Sequence, residues 1–521
     1  MTIARPASSL RGLLLLALLG PCPAAAQAQA QRQPPSAPTA ASVAQALATI
    51  TGEDIRRRVG VIAADSMRGR MTPSPELEET AAWIASEFRA FGLEPAGDAG
   101  GFLQRFSLRT LVLDPAGSTA TVGGSELRFG RDVAPAFAYV LPNGRREGPL
   151  WVVSGTASAA WPEGLSLKGA HVLLVPPVRA DVGTPAVIAL IRAVLAAEPL
   201  GIWIANDRPD RDWAYAANTE LRRQHVQVGD LDTLAVLSVR DQVLAPILAA
   251  AGMDLGDLRA RAGAPVRWDD ARRLVVSLDA RVNTVSDASA PNVVGILRGS
   301  DPVLRDEFVV YSAHMDHIGV GDPVAGDSIN NGADDDASGT STVVELAQAF
   351  SSLPVRPRRS IIFLTVSGEE EGLWGSSWFT THPPVPIERM VADLNIDMVG
   401  RNWPDTIVAI GREHSDLGAT LAQVNARHPE LGMTAIDDPW PAERFYQRSD
   451  HYNFARRGVP ILFFFSGTHE DYHRPSDEVA RIDAEKTARI GKLLFLLGLE
   501  VADRTVRPQW DPASRASIVG R

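Results

Sequence analysis

The sequence predicts the α/β fold class: a doubly wound, mostly parallel sheet with helices on both faces, interrupted by a smaller insert. Short apolar runs at 292–297, 308–312, 361–366, 393–399, 406–410 and 459–465 have the length and continuity of strands buried on both faces. Helical patterns fall between or after them at 340–351, 376–381, 415–427, 450–456 and 484–501, and that alternation covers a largely parallel sheet on both sides. The insert follows from a change of texture over 135–265, and from a length of 521 residues, more than one hydrophobic core usually organises.

From the N-terminus, residues 1–26 are laid out as a secretory signal peptide, with Arg5 and Arg11, an apolar core at 13–19 and small residues at 24–26 and 28–30. That core is too short to span a bilayer, and no later run supplies the roughly 20 apolar residues a span needs. The expectation is an exported protein, periplasmic or secreted, without a stable membrane span. The single cysteine, Cys22, lies in this leader, so the remaining chain offers no disulfide, thiolate zinc site or cysteine nucleophile. Removing the leader takes away two arginines and no acid, moving the net charge from −11 to −13 and making nucleic acid an unexpected partner. Residues 27–42 (QAQAQRQPPSAPTAAS) lack the apolar content to fold and read as a disordered lead-in.

The main domain begins over 43–134 with helical patterns at 44–50, 54–65 and 75–91. In the last of these, Ala81, Ile84, Ala85 and Phe88 recur at helical spacing and Gly92 marks the stop. An alternating run at 125–129 reads as a strand. Within 135–265, strands are expected at 150–153, 171–175 and 201–204 and a helix at 185–197; Trp203, Trp213 and Tyr215 are candidates either for a substrate cleft or for packing. A strand at 274–280 returns the chain to the main domain, expected over 266–505, before a tail at 506–521. Oligomeric state is not legible.

Ligand atoms are densest over 311–339, YSAHMDHIGVGDPVAGDSINNGADDDASG. His314 falls at a strand end, Asp316 follows two residues later, and Asp334, Asp335 and Asp336 come after a Gly- and Asn-rich loop. In open α/β sheets, ligands bind at the carboxyl ends of strands. Three more stretches sit in such places: Glu369, Glu370 and Glu371 after 361–366, Asp397 after 393–396, and His473 after 459–465. Nitrogen and oxygen donors without sulfur suit zinc in a catalytic role; the bland alternative for each acid is a solvated or salt-bridged carboxylate.

The ordered set AHMDH, NGADDDASG, SGEEEGLWGS, NIDMVG and DYHRPSDE resembles the secreted di-zinc aminopeptidases, a family that also contains glutamate carboxypeptidase II, the transferrin receptor ectodomain and the glutaminyl cyclases. The likeness spans about 275–500 and, more loosely, 43–130. The 169–205 region resembles the protease-associated domain of secreted exopeptidases, the alternative being that its elements extend the main sheet. The family resemblance implies two zinc ions per chain, one on His314 and Asp397, the other on Glu370 and His473, with Asp335 bridging them. It implies Asp316 as acceptor of the second N–H of His314, Glu369 as general base, and Tyr446, three residues before Ser449-Asp450, as oxyanion donor unless it is a packed structural tyrosine. His317 is expected near the ions without binding them; His451 either lines the pocket or steadies its helix. The implied activity is removal of N-terminal residues from a peptide with a free N-terminus.

Other readings stay open. Residues 469–473 match H-E-x-x-H, a single-zinc pattern that would require His469 as ligand, although Pro475 and the preceding Gly467 argue against the helix it needs. Glutaminyl cyclisation is supported by the same fold. Arg444, Arg448 and Arg474 leave carboxypeptidase activity possible, and a catalytically silent binding module is a further class. No G-x-S-x-G elbow supports a serine hydrolase.

Overall fold

A computed structural model describes residues 37–519, apart from 137–140, 156–164, 177–189, 228–234 and parts of 192–196, 211–223 and 262–265. The leader at 1–26, Tyr215 and most of the helix expected at 185–197 lie outside the described residues. Regular structure starts earlier than expected. Helix α1 (Ala40–Ala48) begins inside the supposed lead-in, because Thr39 caps it by accepting from the Ser42 N–H and because Ser42 and Ala46 are buried. Helix α2 (Gly52–Ile62) is capped by Thr51, and α3 (Pro75–Ala90) by Ser74, with proline in the first turn where a missing N–H costs nothing. The apolar stripe of α3, Leu77, Ala81, Ile84, Ala85 and Phe88, faces the core.

The main sheet has ten strands. At its centre lie β1 (Phe308–His314), β2 (Ser360–Val366), β3 (Met390–Ile396) and β4 (Ile461–Phe465), joined in the order β2-β1-β3-β4 by parallel pairings only. Side chains alternate between two apolar layers, as a pleated strand requires. Val309, Tyr311 and Ala313 join the cluster under α1, α2, α3, α4 (Gly339–Ser351) and α5 (Ala484–Asp503), while Phe308 and Val310 join a second cluster with Phe379 and Phe454. The parallel character expected of the sheet belongs to this centre. Antiparallel pairings flank it: Val282–Leu297 pairs with β2 and Leu103–Leu113, and Thr406–Ile410 pairs with β4 before a last parallel pairing with Thr434–Ile436, so the sheet as a whole is mixed.

A second sheet of eight strands takes its residues from a wider span than 135–265, from Thr119–Val122 to Arg267–Ala280. Its centre is also parallel, in the order Gly144–Ser154, His171–Val175, Gly201–Asn206, Ala235–Arg240. These strands do not extend the main sheet; only Gln224–Gln227 crosses over, pairing with Leu103–Leu113. Trp203 and Trp213 are packing residues rather than cleft residues. Trp203 is buried and donates to His171 Nδ1, and Trp213 donates to the Gly130 carbonyl. The tail is anchored by Trp510, which bridges to Ser415 and donates to the Gly458 carbonyl, ahead of a helix at Pro512–Ile518. No helix among the described residues is long and apolar enough to cross a membrane.

Candidate metal centre

The four central parallel strands end side by side, and each end supplies polar groups to one place. His314 closes β1 in register with Val366 of β2; Glu369 and Glu370 follow β2, Asp397 follows β3, and His473 lies on the turn after β4. Two donor groups result. His314 Nε2 stands 3.3 Å from Asp335 Oδ1 and 3.5 Å from Asp397 Oδ1. His473 Nε2 stands 3.2 Å from Asp335 Oδ2 and 3.1 Å from Glu370 Oε2. The two oxygens of Asp335 are thus divided between the groups.

Local structure explains why the middle aspartate of the triplet takes this place. Asp334 Oδ1 accepts from the Gly400 N–H, and Asp336 accepts from the N–H groups of Met398, Gly339 and His314. Asp477 in turn accepts from the N–H groups of Asp334 and Asp335. Asp336 and one oxygen of Asp334 fix backbone, the other Asp334 oxygen faces His469, and Asp335 faces His314 and His473. Gly339 lets α4 start against the end of β3, since a Cβ there would sit 2.3 Å from the Ile396 carbonyl.

Asp316 is buried beside His314, but the nearest acceptor to His314 Nδ1 is the Asp316 carbonyl at 3.3 Å; its carboxylate is 3.8 Å away. That carboxylate instead accepts from Thr72 Oγ1 and the Glu369 N–H. Glu369 belongs to neither donor group, yet lines the adjoining cavity with His314, Asp335 and Asp397. The cavity encloses about 370 Å³ including its mouth, and Met398, Phe445, Phe463 and Phe465 form its apolar part.

Electrostatics describe a site short of positive charge. Burial, with Glu370, Asp450 and Asp397 adding to it against His314, raises the Glu369 carboxyl well above its usual range. Burial likewise raises Asp397 and Asp316. Burial alone would depress His314 and His473, but the facing carboxylates outweigh it, taking His314 well up and His473 to about 10. Asp335, despite burial, is held well below the carboxylate range by His317, His314 and His473. Buried anions of this density need neutralisation, and the nitrogen and oxygen donors at each of two positions fit a small dication bridged by Asp335.

Two candidates fall elsewhere. Tyr446, the expected oxyanion donor, is not among the residues lining the cavity: its ring packs on His414 at 4.5 Å and against Tyr452, and its buried hydroxyl has no partner among the described residues. The tyrosine at the cavity is Tyr472, stacked on His473 at 3.9 Å. His469 pairs with Asp334 at 3.3 Å, outside both donor groups, and 469–473 forms turns rather than the helix that H-E-x-x-H requires. His451 is buried, stacked on Phe463, and bonded to the Tyr446 carbonyl, a structural role. Of the arginines, only Arg448 lines the cavity, its guanidinium over the Phe445 ring at 4.7 Å.

Arg70 and Thr72 belong to the site's frame without having been singled out. The fully buried Arg70 guanidinium donates to the carbonyls of Ile62, Met315, Asn331 and Gly332, tying the loop after β1 to the loop before Asp335. Its sequence context, SMRGRMTP, carries no pattern that announces this.

Residues 292–497 match Peptidase family M28. Aminopeptidase YwaD of Bacillus subtilis is 23% identical over 254 residues, covering 47% of this chain and 52% of its own. A "Probable zinc metalloprotease" of Leptosphaeria maculans is 28% identical over 241 residues, covering 39% and 55%. The chain therefore spans about half the length of these curated relatives. Among solved structures, an aminopeptidase from Aneurinibacillus sp. strain AM-1 has the same fold, with a TM-score of 0.53 over 90% of this chain and 98% of that one at 18% identity.

Proposed function

We propose, from the match of residues 292–497 to Peptidase family M28, that the protein is an exported zinc-dependent aminopeptidase that uses two zinc ions and acts on peptides with a free N-terminus. One observation carries the reading: the half-buried Glu369 lines the cavity beside two donor groups that share Asp335, and takes part in neither. When bound, the ions supply Lewis acidity and lower the pKa of water. His314, Asp335 and Asp397 would hold one ion; Asp335, Glu370 and His473 the other.

The remaining steps belong to the chain's own side chains. Glu369 takes a proton from the attacking water and delivers it to the departing amine, which requires it to be ionised at the start and protonated midway. Burial holds this carboxyl above its usual range, which favours the protonated half of that cycle. Tyr472, which lines the cavity with its ring stacked on His473, is the tyrosine that would stabilise developing negative charge on the substrate oxygen. Met398, Phe445, Phe463 and Phe465 exclude water around the terminal side chain. The acids around the cavity, Asp335, Glu369 and Asp397, favour an ammonium group there. The leader supports export to the periplasm or medium, and the separate second sheet supports a protease-associated-like insert.

The test is hydrolysis of aminoacyl chromogenic substrates with free and acetylated amines, before and after chelation. The reading predicts release from the free-amine series only, loss on chelation and recovery with zinc. Release of C-terminal residues, or conversion of N-terminal glutamine to its lactam without hydrolysis, would contradict it.

A further inference from the structure

His317 has a closer tie to the site than its sequence position suggests. Its ring is completely buried, and Nδ1 lies 2.7 Å from Glu370 Oε1 but 3.8 Å from Asp335 Oδ2. The other oxygen of Glu370 faces His473 Nε2 at 3.1 Å. The glycine at 332, with φ of +59°, lets the loop before Asp335 cross this ring, since a Cβ there would come within 2.6 Å of it.

Two arrangements are compatible with that position: His317 as a fourth ligand of the second ion, or as a donor to a ligand. Distance decides between them. Two atoms each about 2.0–2.1 Å from one tetrahedral zinc stand roughly 3.3 Å apart, which is where the pairs that define both positions lie, at 3.1 to 3.5 Å. A separation of 2.7 Å is short for co-ligands and matches a charge-assisted N–H···O⁻ bond. The far side of the ring agrees. A ligating histidine normally has its second nitrogen held by an acceptor, as His314 Nδ1 is by the Asp316 carbonyl, whereas His317 Nε2 is buried without a partner among the described residues.

We infer that His317 is a positioning residue that donates its Nδ1–H to Glu370 Oε1 and so leaves Oε2 alone for the second metal position. The inference rests on the two-ion reading given above. Its consequence is that both positions have three protein donors, His314, Asp335 and Asp397 at one and Asp335, Glu370 and His473 at the other. Three-donor zinc positions keep a place for water or substrate, while four-donor positions are closed. Without His317, the Glu370 carboxylate is free to rotate away from the position or to occupy it with both oxygens.

Zinc-edge X-ray absorption on the full-length zinc-loaded protein counts imidazoles directly, and the inference expects two for two zinc ions. Alongside it, competition with a chromophoric chelator measures the affinity of each zinc in His317→Ala and His317→Asn. Alanine removes the donor and should weaken one of the two zinc ions about 10–100-fold; asparagine, whose amide N–H falls near the place of Nδ1–H, should bring it back to within about threefold of wild type. Three imidazoles for two zinc ions, or a zinc affinity that alanine leaves unchanged, overturns the inference. If the variants do not fold when checked by thermal melting of the zinc-free proteins, the wild-type imidazole count still decides. A wild-type protein that binds fewer than two zinc ions defeats the two-ion reading itself, a result distinguishable from either failure of His317.

Discussion

The molecule contains two sheets built on the same plan, and only one of them carries a candidate reaction centre. Each has four parallel strands at its centre with apolar layers on both faces. In the main sheet, the residues at and just past the strand ends are His314, Glu369, Glu370 and Asp397, and the rim is a nest of buried and half-buried acids and imidazoles. In the second sheet, the corresponding strands end at Ser154, Val175, Asn206 and Arg240, and no group of metal donors forms among the described residues. Its one buried imidazole, His171, serves as acceptor for Trp203 and is kept neutral. A parallel sheet therefore provides a rim, and the side chains that follow each strand decide whether the rim does chemistry.

Breaking the main-sheet rim should have the largest effect. Glu369→Gln is expected to lower kcat by about 10²–10⁴-fold with metal content unchanged, since it removes proton transfer and no ligand; steady-state kinetics paired with metal analysis checks both halves. Tyr472→Phe should cost about 10²-fold in kcat, as loss of one oxyanion donor does, while Tyr446→Phe leaves kcat within a few-fold of wild type. Equal effects of the two tyrosines would place the hydroxyl wrongly.

The second sheet should respond to pH in its own way. Burial holds His171 down to about 4 from a usual value of 6.5. Between those values the unfolded chain binds the extra proton, so stability falls as pH drops from about 6.5 to about 4, by on the order of 3 kcal/mol at most. Urea midpoints at pH 7 and pH 4.5 should therefore separate less in His171→Asn than in wild type. The smallest effect is expected of His469→Ala, which should leave metal content unchanged; loss of metal would restore the H-E-x-x-H reading.

The parts of this plan that depend on local sequence were readable in it. The central strands announce themselves as continuous apolar runs, with His314, Glu370 and Asp397 at or within a few residues of a run's end, whereas the selection of Asp335 from its triplet and the grouping of these residues into two positions rest on the family resemblance. The choice between Tyr446 and Tyr472 needed tertiary information: both follow aromatic stretches, and only packing turns one ring toward His414 and stacks the other on His473. Arg70 was invisible for a related reason, since its four carbonyl partners come from three separate segments. The antiparallel flanks were hidden as well. The outer half of Val282–Leu297 is polar and exposed, with no apolar run to mark it, and it becomes a strand by pairing with Leu103–Leu113.

The central claim is that one carboxylate at the main-sheet rim joins two metal positions, and metal content per chain in wild type and in Asp335→Ala tests it most directly. The account predicts two zinc ions in the wild-type protein and a loss of affinity for both in the variant, because each position gives up an oxygen. A wild-type protein holding one ion, or a variant that still retains one at full affinity, would show that Asp335 does not bridge and would contradict the account.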